Sequence, residues 1–281
     1  MRIAVFVRCA VWLLVALGMA GPVGAQSKVV ILATTTSTQD SGLLDVLVPV
    51  FERATGYTLK TIAVGTGQAL AMGARGEADV VLVHAPTLER THVADGRLAN
   101  RRLVMHNDFV LVGPARDPAG IRGLKRPEEA LRRIGAGAAM FVSRGDNSGT
   151  HAREKALWRA AGVEPRGRWY VESGQGMGAT LTIASEKGGY TLTDRATYLA
   201  FGKRVELSPL VEGAAPLLNV YHVMEPTPGR HARVNAAGGR AFADFIVSPR
   251  AQEIIRTFGV ATHGEPLFHP DAGKPDPEGR G

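Results

Sequence analysis

The chain has 281 residues, 45% hydrophobic and 6% aromatic, with a formal charge of +7 and a single cysteine. Its Arg and Lys are scattered, with few aromatics between them, which argues against nucleic-acid binding; a modest positive field suits capture of a small anion instead. Length fits one or two domains, and a chain of this size buries an adequate core without disulfides.

Met1 to Gln26 has the layout of a secretory signal: Arg2 and Arg8, an apolar stretch from Ala10 to Ala20, then Val23-Gly24-Ala25 as a small-residue cleavage site. Residues 1–25 are therefore expected to be a signal peptide, cleaved after Ala25. An uncleaved anchor is the rival reading, but the apolar stretch is short of the roughly 20 residues a bilayer requires. Cys9 lies within the signal, so the mature protein, periplasmic or secreted, has no cysteine. Loss of Arg2 and Arg8 lowers its charge to +5.

From Lys28 onward strand-like and helix-like segments alternate. Val29 to Ala33 is an unbroken apolar strand, and Ser41 to Ala54 carries Leu43, Leu44, Leu47, Val50, Phe51 and Ala54 at helical spacing. Leu59 to Val64 is a second strand, Gln68 to Arg75 a short helix and Asp79 to Val83 a third strand. This βαβαβ order predicts a parallel sheet with flanking helices. Ligands bind such sheets at the carboxyl ends of the strands. The turns there are Thr34-Thr35-Thr36-Ser37-Thr38 and Gly65-Thr66-Gly67-Gln68, each ahead of a helix. Their hydroxyls and exposed amides suit a fully ionised oxyanion, although a run of Thr also fits a capped loop.

Phe109 to Pro114 is the next strand and Pro127 to Ile134 a helix. Ala139 to Val142 then leads into Ser143-Arg144-Gly145-Asp146-Asn147-Ser148-Gly149-Thr150-His151, ahead of a helix from Ala152 to Ala161. This turn brings a guanidinium, two hydroxyls and a Gly-freed amide to a helix start, where peptide dipoles already favour negative charge. Helix capping explains one hydroxyl but not the arginine. An Arg-Gly-Asp tripeptide alone is too short to signal cell adhesion.

Trp169 to Val171 and Tyr190 to Thr193 are further strand candidates. The glycines at 174, 176 and 178 lack the spacing of a dinucleotide fingerprint and read as a tight turn opening a helix from Ala179 to Glu186. Leu217 to Met224 is another strand, followed by helices from Val234 to Val247 and Arg250 to Phe258. The segment 270–281, rich in Pro and Gly, reads as a flexible tail. Phe109 to Pro114 and Leu217 to Met224 are candidate crossings between two lobes, with 26–114 the first part of lobe I, 115–216 lobe II, and 217–269 the crossover strand and return to lobe I.

The motifs A-T-T-T-S-T-Q-D-S-G-L-L (33–44), G-T-G-Q-A-L (65–70), A-D-V-V-L-V-H-A-P (78–86), S-R-G-D-N-S-G-T-H (143–151) and Y-T-L-T-D-R-A-T-Y (190–198) cover nearly the whole mature chain. The sequence resembles the tungstate-binding proteins of bacterial ABC transporters, a branch of the type II periplasmic solute-binding proteins related to the molybdate- and phosphate-binding ones. The resemblance implies an α/β, two-lobed fold, each lobe a mostly parallel sheet flanked by helices, with the oxyanion in the interlobe cleft. It implies a non-enzymatic monomer without cofactor or metal, whose ligand is tungstate or molybdate and whose partners are a membrane permease and its ATPase. Carried over by position, Thr35, Thr36, Ser37, Thr66 and Gly67 should donate from the first lobe, and Arg144, Ser148, Gly149 and Thr150 from the second.

The phosphate-binding relatives place an aspartate where this chain has Val83-His84-Ala85-Pro86, to accept the proton phosphate retains. Its absence favours tungstate, molybdate or sulfate over phosphate. His84 is open to two readings, a donor to the ligand or a structural histidine, and Arg195 to three: ligand contact, brace of the cleft wall or partner of Asp194. An anion sensor docking a receptor would use the same cleft. A secreted hydrolase with Ser148 as nucleophile and His151 or His84 as base is disfavoured, because no G-x-S-x-G elbow presents that serine. The scattered histidines show no metal-ligand spacing.

Overall fold

The computed structural model describes residues 27–277; the expected signal peptide and its cleavage site lie outside them. β1 (Val29–Thr35) leads without a loop into α1 (Thr36–Asp40), and Gly42, at φ 79°, separates α1 from α2 (Leu43–Thr55). The predicted helix thus begins earlier and is broken: the Thr-Ser run is itself helical, with Thr35 as its cap. β2 (Thr58–Val64), α3 (Thr66–Ala74), β3 (Val80–Val83) and α4 (Pro86–Ala94) follow.

β1 pairs in parallel with both β2 and β3. Alternation along these strands divides their side chains between two layers. Val30, Leu32, Val80 and Leu82 pack with Phe51 and Phe242 on one face, while Ala33, Val81 and Val83 pack with Ala69 and Leu70 of α3 on the other. Burial on both faces accounts for the unbroken apolar runs read as strands.

β4 (Leu98–Gly113) is sixteen residues long, where the sequence suggested only 109–114. The polar residues Asn100, Arg101, Arg102, His106, Asn107 and Asp108 masked its first half. After α5 (Pro127–Ala136), β5 (Phe141–Ser143), α6 (Gly149–Ala161), β6 (Tyr170–Glu172), α7 (Met177–Glu186), β7 (Thr191–Asp194), α8 (Arg195–Phe201) and β8 (Ser208–Val211), the chain returns through β9 (Leu218–Pro226). β9 runs antiparallel between β3 and β4, pairing with β4 as far as Asp108. Beyond that point β4 pairs antiparallel with β7 and β8, while β5 and β6 form a parallel pair joined to β7's entry by a Phe141–Tyr190 bridge. One strand therefore serves two sheet regions. Phe109 and Leu111 face a core with Trp158 and Phe141, and Val110 and Val112 face one with Met177 and Leu181. The expectation of mostly parallel sheets is corrected: the sheet is mixed, because β9 runs antiparallel to both β3 and β4, and β4 pairs antiparallel with β7 and β8.

α9 (Ala236–Ile246) and α10 (Pro249–Thr257) complete the first core, followed by α11 (Val260–His263) and β10 (His269–Pro270). The reading of residues from 270 as a flexible tail fails for the described part. β10 pairs with β4, Asp271 is buried against His106, and Asp276 accepts from Arg101 at 2.6 Å. Composition concealed this, because the anchoring is electrostatic rather than apolar. Helix α9 approaches the start of β3 so closely that a Cβ on Gly239 would lie 2.1 Å from the carbonyl oxygen of Asp79. Backbone at that distance cannot yield as a side-chain tip does. Gly239→Ala is expected to cost about 2 kcal/mol or more and to lower Tm by several degrees, measurable by thermal unfolding.

Candidate functional site

The carboxyl ends of β1, β2 and β5 bring the hydroxyl-rich turns to one place, with His84 at the end of β3 beside them. Thr66 Oγ1 accepts from the Gly149 backbone NH at 2.8 Å, joining the start of α3 to the start of α6. A Cβ on Gly149 would lie 3.0 Å from His84 and 3.1 Å from Thr66 Oγ1, so glycine permits this approach. Arg144 is 1% exposed. Its Nε donates to the Gln175 carbonyl at 2.8 Å and its Nη2 to Thr36 Oγ1 at 3.2 Å, with Asp146 as ion-pair partner.

Two polar atoms in this region are buried with no hydrogen-bond partner: Arg144 Nη1 and Thr150 Oγ1. Buried donors are almost always satisfied, so a pair of orphans beside converging helix starts marks a place for a ligand with acceptor oxygens. Ser148 caps α6, its Oγ accepting from the His151 NH, and its own proton remains available to donate. Gly67 lies in the first turn of α3. Thr35 Oγ1 caps α1 and, like Ser37 Oγ, lies 3.1 Å from His84 Nε2.

All nine residues singled out in the sequence thus lie on the turns that meet here, but their hydrogen bonds differ in kind. Thr36, Arg144, Thr66 and Gly149 bond across the seam. Thr35, Ser37 and Ser148 are tied to local caps or to His84.

His84 is fully buried, and burial with the positive charges of Arg144 and Arg153 lowers its pKa to about 4. It is therefore neutral at pH 7. Its Nδ1 lies 2.9 Å from Asn219 Oδ1, and Asn219 in turn donates to Asn107 Oδ1 at 2.7 Å. Sequence reasoning passed over both asparagines, although Asn219 interrupts the apolar run of β9. It also passed over Glu154. That carboxylate accepts from Ser143 Oγ, Tyr170 OH and Trp158 Nε1 behind the Arg144 turn, and burial raises its pKa to about 7. Arg195 braces the junction of the two sheet regions, bidentate to Asp108 at 2.7 Å and bonded to Glu212.

A groove of about 470 Å³ runs along the seam, with Gly67, His84 and Gly149 in its wall and Arg153, Lys155 and Arg159 of α6 along one side. Arg144 is not part of that wall, and the groups around it are tightly packed.

The family model of the PBP superfamily domain matches residues 22–250. The chain is 47% identical over 248 residues to the tungstate-binding protein TupA of Peptoclostridium acidaminophilum, covering 87% of this chain and 86% of that one. It resembles the solved structure of the tungstate ABC transporter from Geobacter sulfurreducens with a TM-score of 0.75 and 49% identity, over 82% of this chain and 98% of that one. For the tungstate-binding protein TupA from Desulfovibrio alaskensis G20 the TM-score is 0.72 and the identity 44%, over 87% and 99% of the two chains. Fold and sequence define a solute-binding protein rather than an enzyme. The chain belongs to the PBP superfamily and, within it, to the family of the TupA tungstate-binding proteins.

Proposed function

We propose that this protein captures tungstate outside the cytoplasm and hands it to the permease of an ABC transporter driven by a separate ATPase. The observation that carries the reading is the buried guanidinium of Arg144 with an unsatisfied Nη1, on the turn that runs into the first residues of α6, where the Thr150 hydroxyl is also buried and unsatisfied. Thr35, Thr36, Ser37, Thr66, Gly67, Arg144, Ser148, Gly149 and Thr150 are the proposed ligand residues. Residues 26–114 with 217–269 act as one lobe and 115–216 as the other, closing over the anion as a monomer. The mature protein starts at Gln26 and is periplasmic.

A charge-assisted hydrogen bond contributes about 1.5 to 3 kcal/mol, and nanomolar binding corresponds to about 12 kcal/mol. A handful of donors suffices when the site is preformed and dry. The site's donors suit an acceptor-only dianion, and Val83-His84-Ala85-Pro86 itself carries no carboxylate to receive a proton from phosphate, the nearby Glu89 being engaged by the Ala85 NH and Arg101. The test is calorimetric titration of the anion-stripped mature protein with tungstate, molybdate, sulfate and phosphate. Tight tungstate binding, with molybdate equal or weaker and phosphate silent, is the expected result. Absence of binding by every anion would overturn the proposal.

A further inference from the structure

Three side chains lie in a buried line behind the site: His84, Asn219 and Asn107, exposed by 4%, 1% and 3%. His84 Nε2 lies 3.1 Å from both Thr35 Oγ1 and Ser37 Oγ; its Nδ1 meets Asn219 Oδ1, and Asn219 Nδ2 meets Asn107 Oδ1 and, at 3.1 Å, Tyr221 OH. In this arrangement Nδ1 carries the imidazole proton and Nε2 is a lone pair, which one of the two hydroxyls must donate to. At the far end of the line Asn107 Nδ2 is buried without a partner.

Every link of this line can run the other way. If both carboxamides turn over, Asn107 Nδ2 donates to Asn219 Oδ1, Tyr221 OH donates to the same oxygen, and Asn219 Nδ2 donates to His84 Nδ1. The imidazole proton then sits on Nε2. No hydrogen bond is lost, and the unpartnered NH2 at Asn107 is exchanged for an unpartnered carbonyl, the less costly orphan. Carboxamide orientation and histidine tautomer are linked choices, fixed together by the network they belong to.

The consequence falls on the ligand. With Nε2 bare, one hydroxyl proton of the Thr35 and Ser37 pair is spent on His84, and that oxygen presents only lone pairs to an anion. With Nε2 protonated, the imidazole donates to a hydroxyl oxygen and neither hydroxyl proton is held by the histidine; an anion then competes for them only with the Ser37 and Thr38 oxygens that lie 3.1 and 2.7 Å from Thr35 Oγ1. A fully ionised oxyanion needs the second state, whereas an anion bearing a proton fits the first, since a hydroxyl can accept that proton while donating to Nε2.

We propose that His84 is a positioning residue whose tautomer, set through Asn219 and Asn107, orients the Thr35 and Ser37 hydroxyls and tunes the site to fully ionised over proton-bearing oxyanions. The proposal rests on the oxyanion reading above. Ligand entry drives the line into the Nε2–H state by supplying acceptors for both hydroxyl protons. Asn219 is the switch, because its carboxamide hydrogen-bonds to both the histidine and the second amide.

Nitrogen NMR of histidine-labelled protein at pH 8 reads the tautomer directly, with His84 assigned through its backbone. In the tungstate-bound protein His84 is expected to show a protonated Nε2 and a bare Nδ1. A bound-state spectrum with bare Nε2, in a sample that calorimetry shows to be saturated, overturns the relay and leaves the oxyanion reading standing. Failure of tungstate to bind removes both. Asn219→Leu, which deletes the donor and the acceptor together, is expected to narrow the preference for tungstate over phosphate by about tenfold, read as displacement of bound tungstate by excess phosphate, and unchanged displacement counts against the switch. The wild-type spectrum decides the matter if that variant fails to fold.

Discussion

Arg144→Ala is expected to weaken tungstate binding by about 10²- to 10³-fold, the range set by truncating one partner of a buried charged pair. The guanidinium makes bonds that other side chains cannot make together. Its Nε donates to the Gln175 carbonyl, its Nη2 reaches Thr36, and Nη1 is buried without a partner, the donor the proposal gives to a ligand oxygen. Alanine removes that donor and also a positive charge from among buried carboxyls. Asp194 is fully buried, and its raised pKa reflects that burial, opposed by the Thr197 hydrogen bonds and the Arg144 charge. Asp40, also raised by burial, is opposed by the Gly178 NH and by Arg144. Without the arginine that opposition is lost, and Asp146 loses its ion-pair partner. Arg144→Lys should fall between wild type and alanine, because an ammonium keeps the charge but cannot span the three directions of the planar fork. Calorimetric titration of both variants, with circular dichroism to show that they fold, gives the comparison. Alanine binding within about threefold of wild type would remove Arg144 from the site.

The hydroxyl-rich turns were more legible in the sequence than the frame that carries them. Hydroxyl-rich turns following apolar strands carry their chemistry in local order, so Thr36, Thr66, Arg144 and Gly149 could be named before any contact was known. Periodicity likewise marked β1, β3 and the helices α2 and α10, whose burial is one-sided or complete along their length. The first half of β4 was hidden, because its charged residues satisfy partners far away in the chain: Arg101 reaches Glu89 and Asp276, and Arg102 reaches Asp244. The anchoring of residues 269–277 was hidden for the same reason. Such ion pairs leave no period in the sequence. Asn219, Asn107 and Glu154 escaped notice because a buried polar residue acquires meaning only through partners that folding supplies.

Two of those buried groups make the stability of the protein respond to pH in opposite senses. Glu154 has its pKa raised from 4.5 to about 7, chiefly by burial, against the hydrogen bonds from Tyr170, Ser143, Trp158 and the Arg144 backbone. A carboxyl that binds its proton more tightly when folded stabilises the protein below pH 4.5, and that contribution is lost as pH rises through 7. His84 moves the other way, lowered from 6.5 to about 4. An imidazole held neutral by folding contributes stability above pH 6.5, lost as pH falls through 4. Each shift corresponds to about 3 kcal/mol over its window, so the two largely cancel between pH 4.5 and 6.5. Single variants expose the hidden slopes. Relative to wild type, Glu154→Gln is expected to lose stability progressively as pH falls from 8 to 4, because the acid-side contribution is gone while His84 still titrates. His84→Gln is expected to gain relative stability over the same descent. Urea unfolding at half-unit steps across that range measures both differences. Profiles for both variants that run parallel to wild type would mean that neither group is held in its buried state by the fold. Because Glu154 accepts from Ser143 beside Arg144, and His84 contacts Thr35 and Ser37, the same experiment reports on both turns of the proposed anion site.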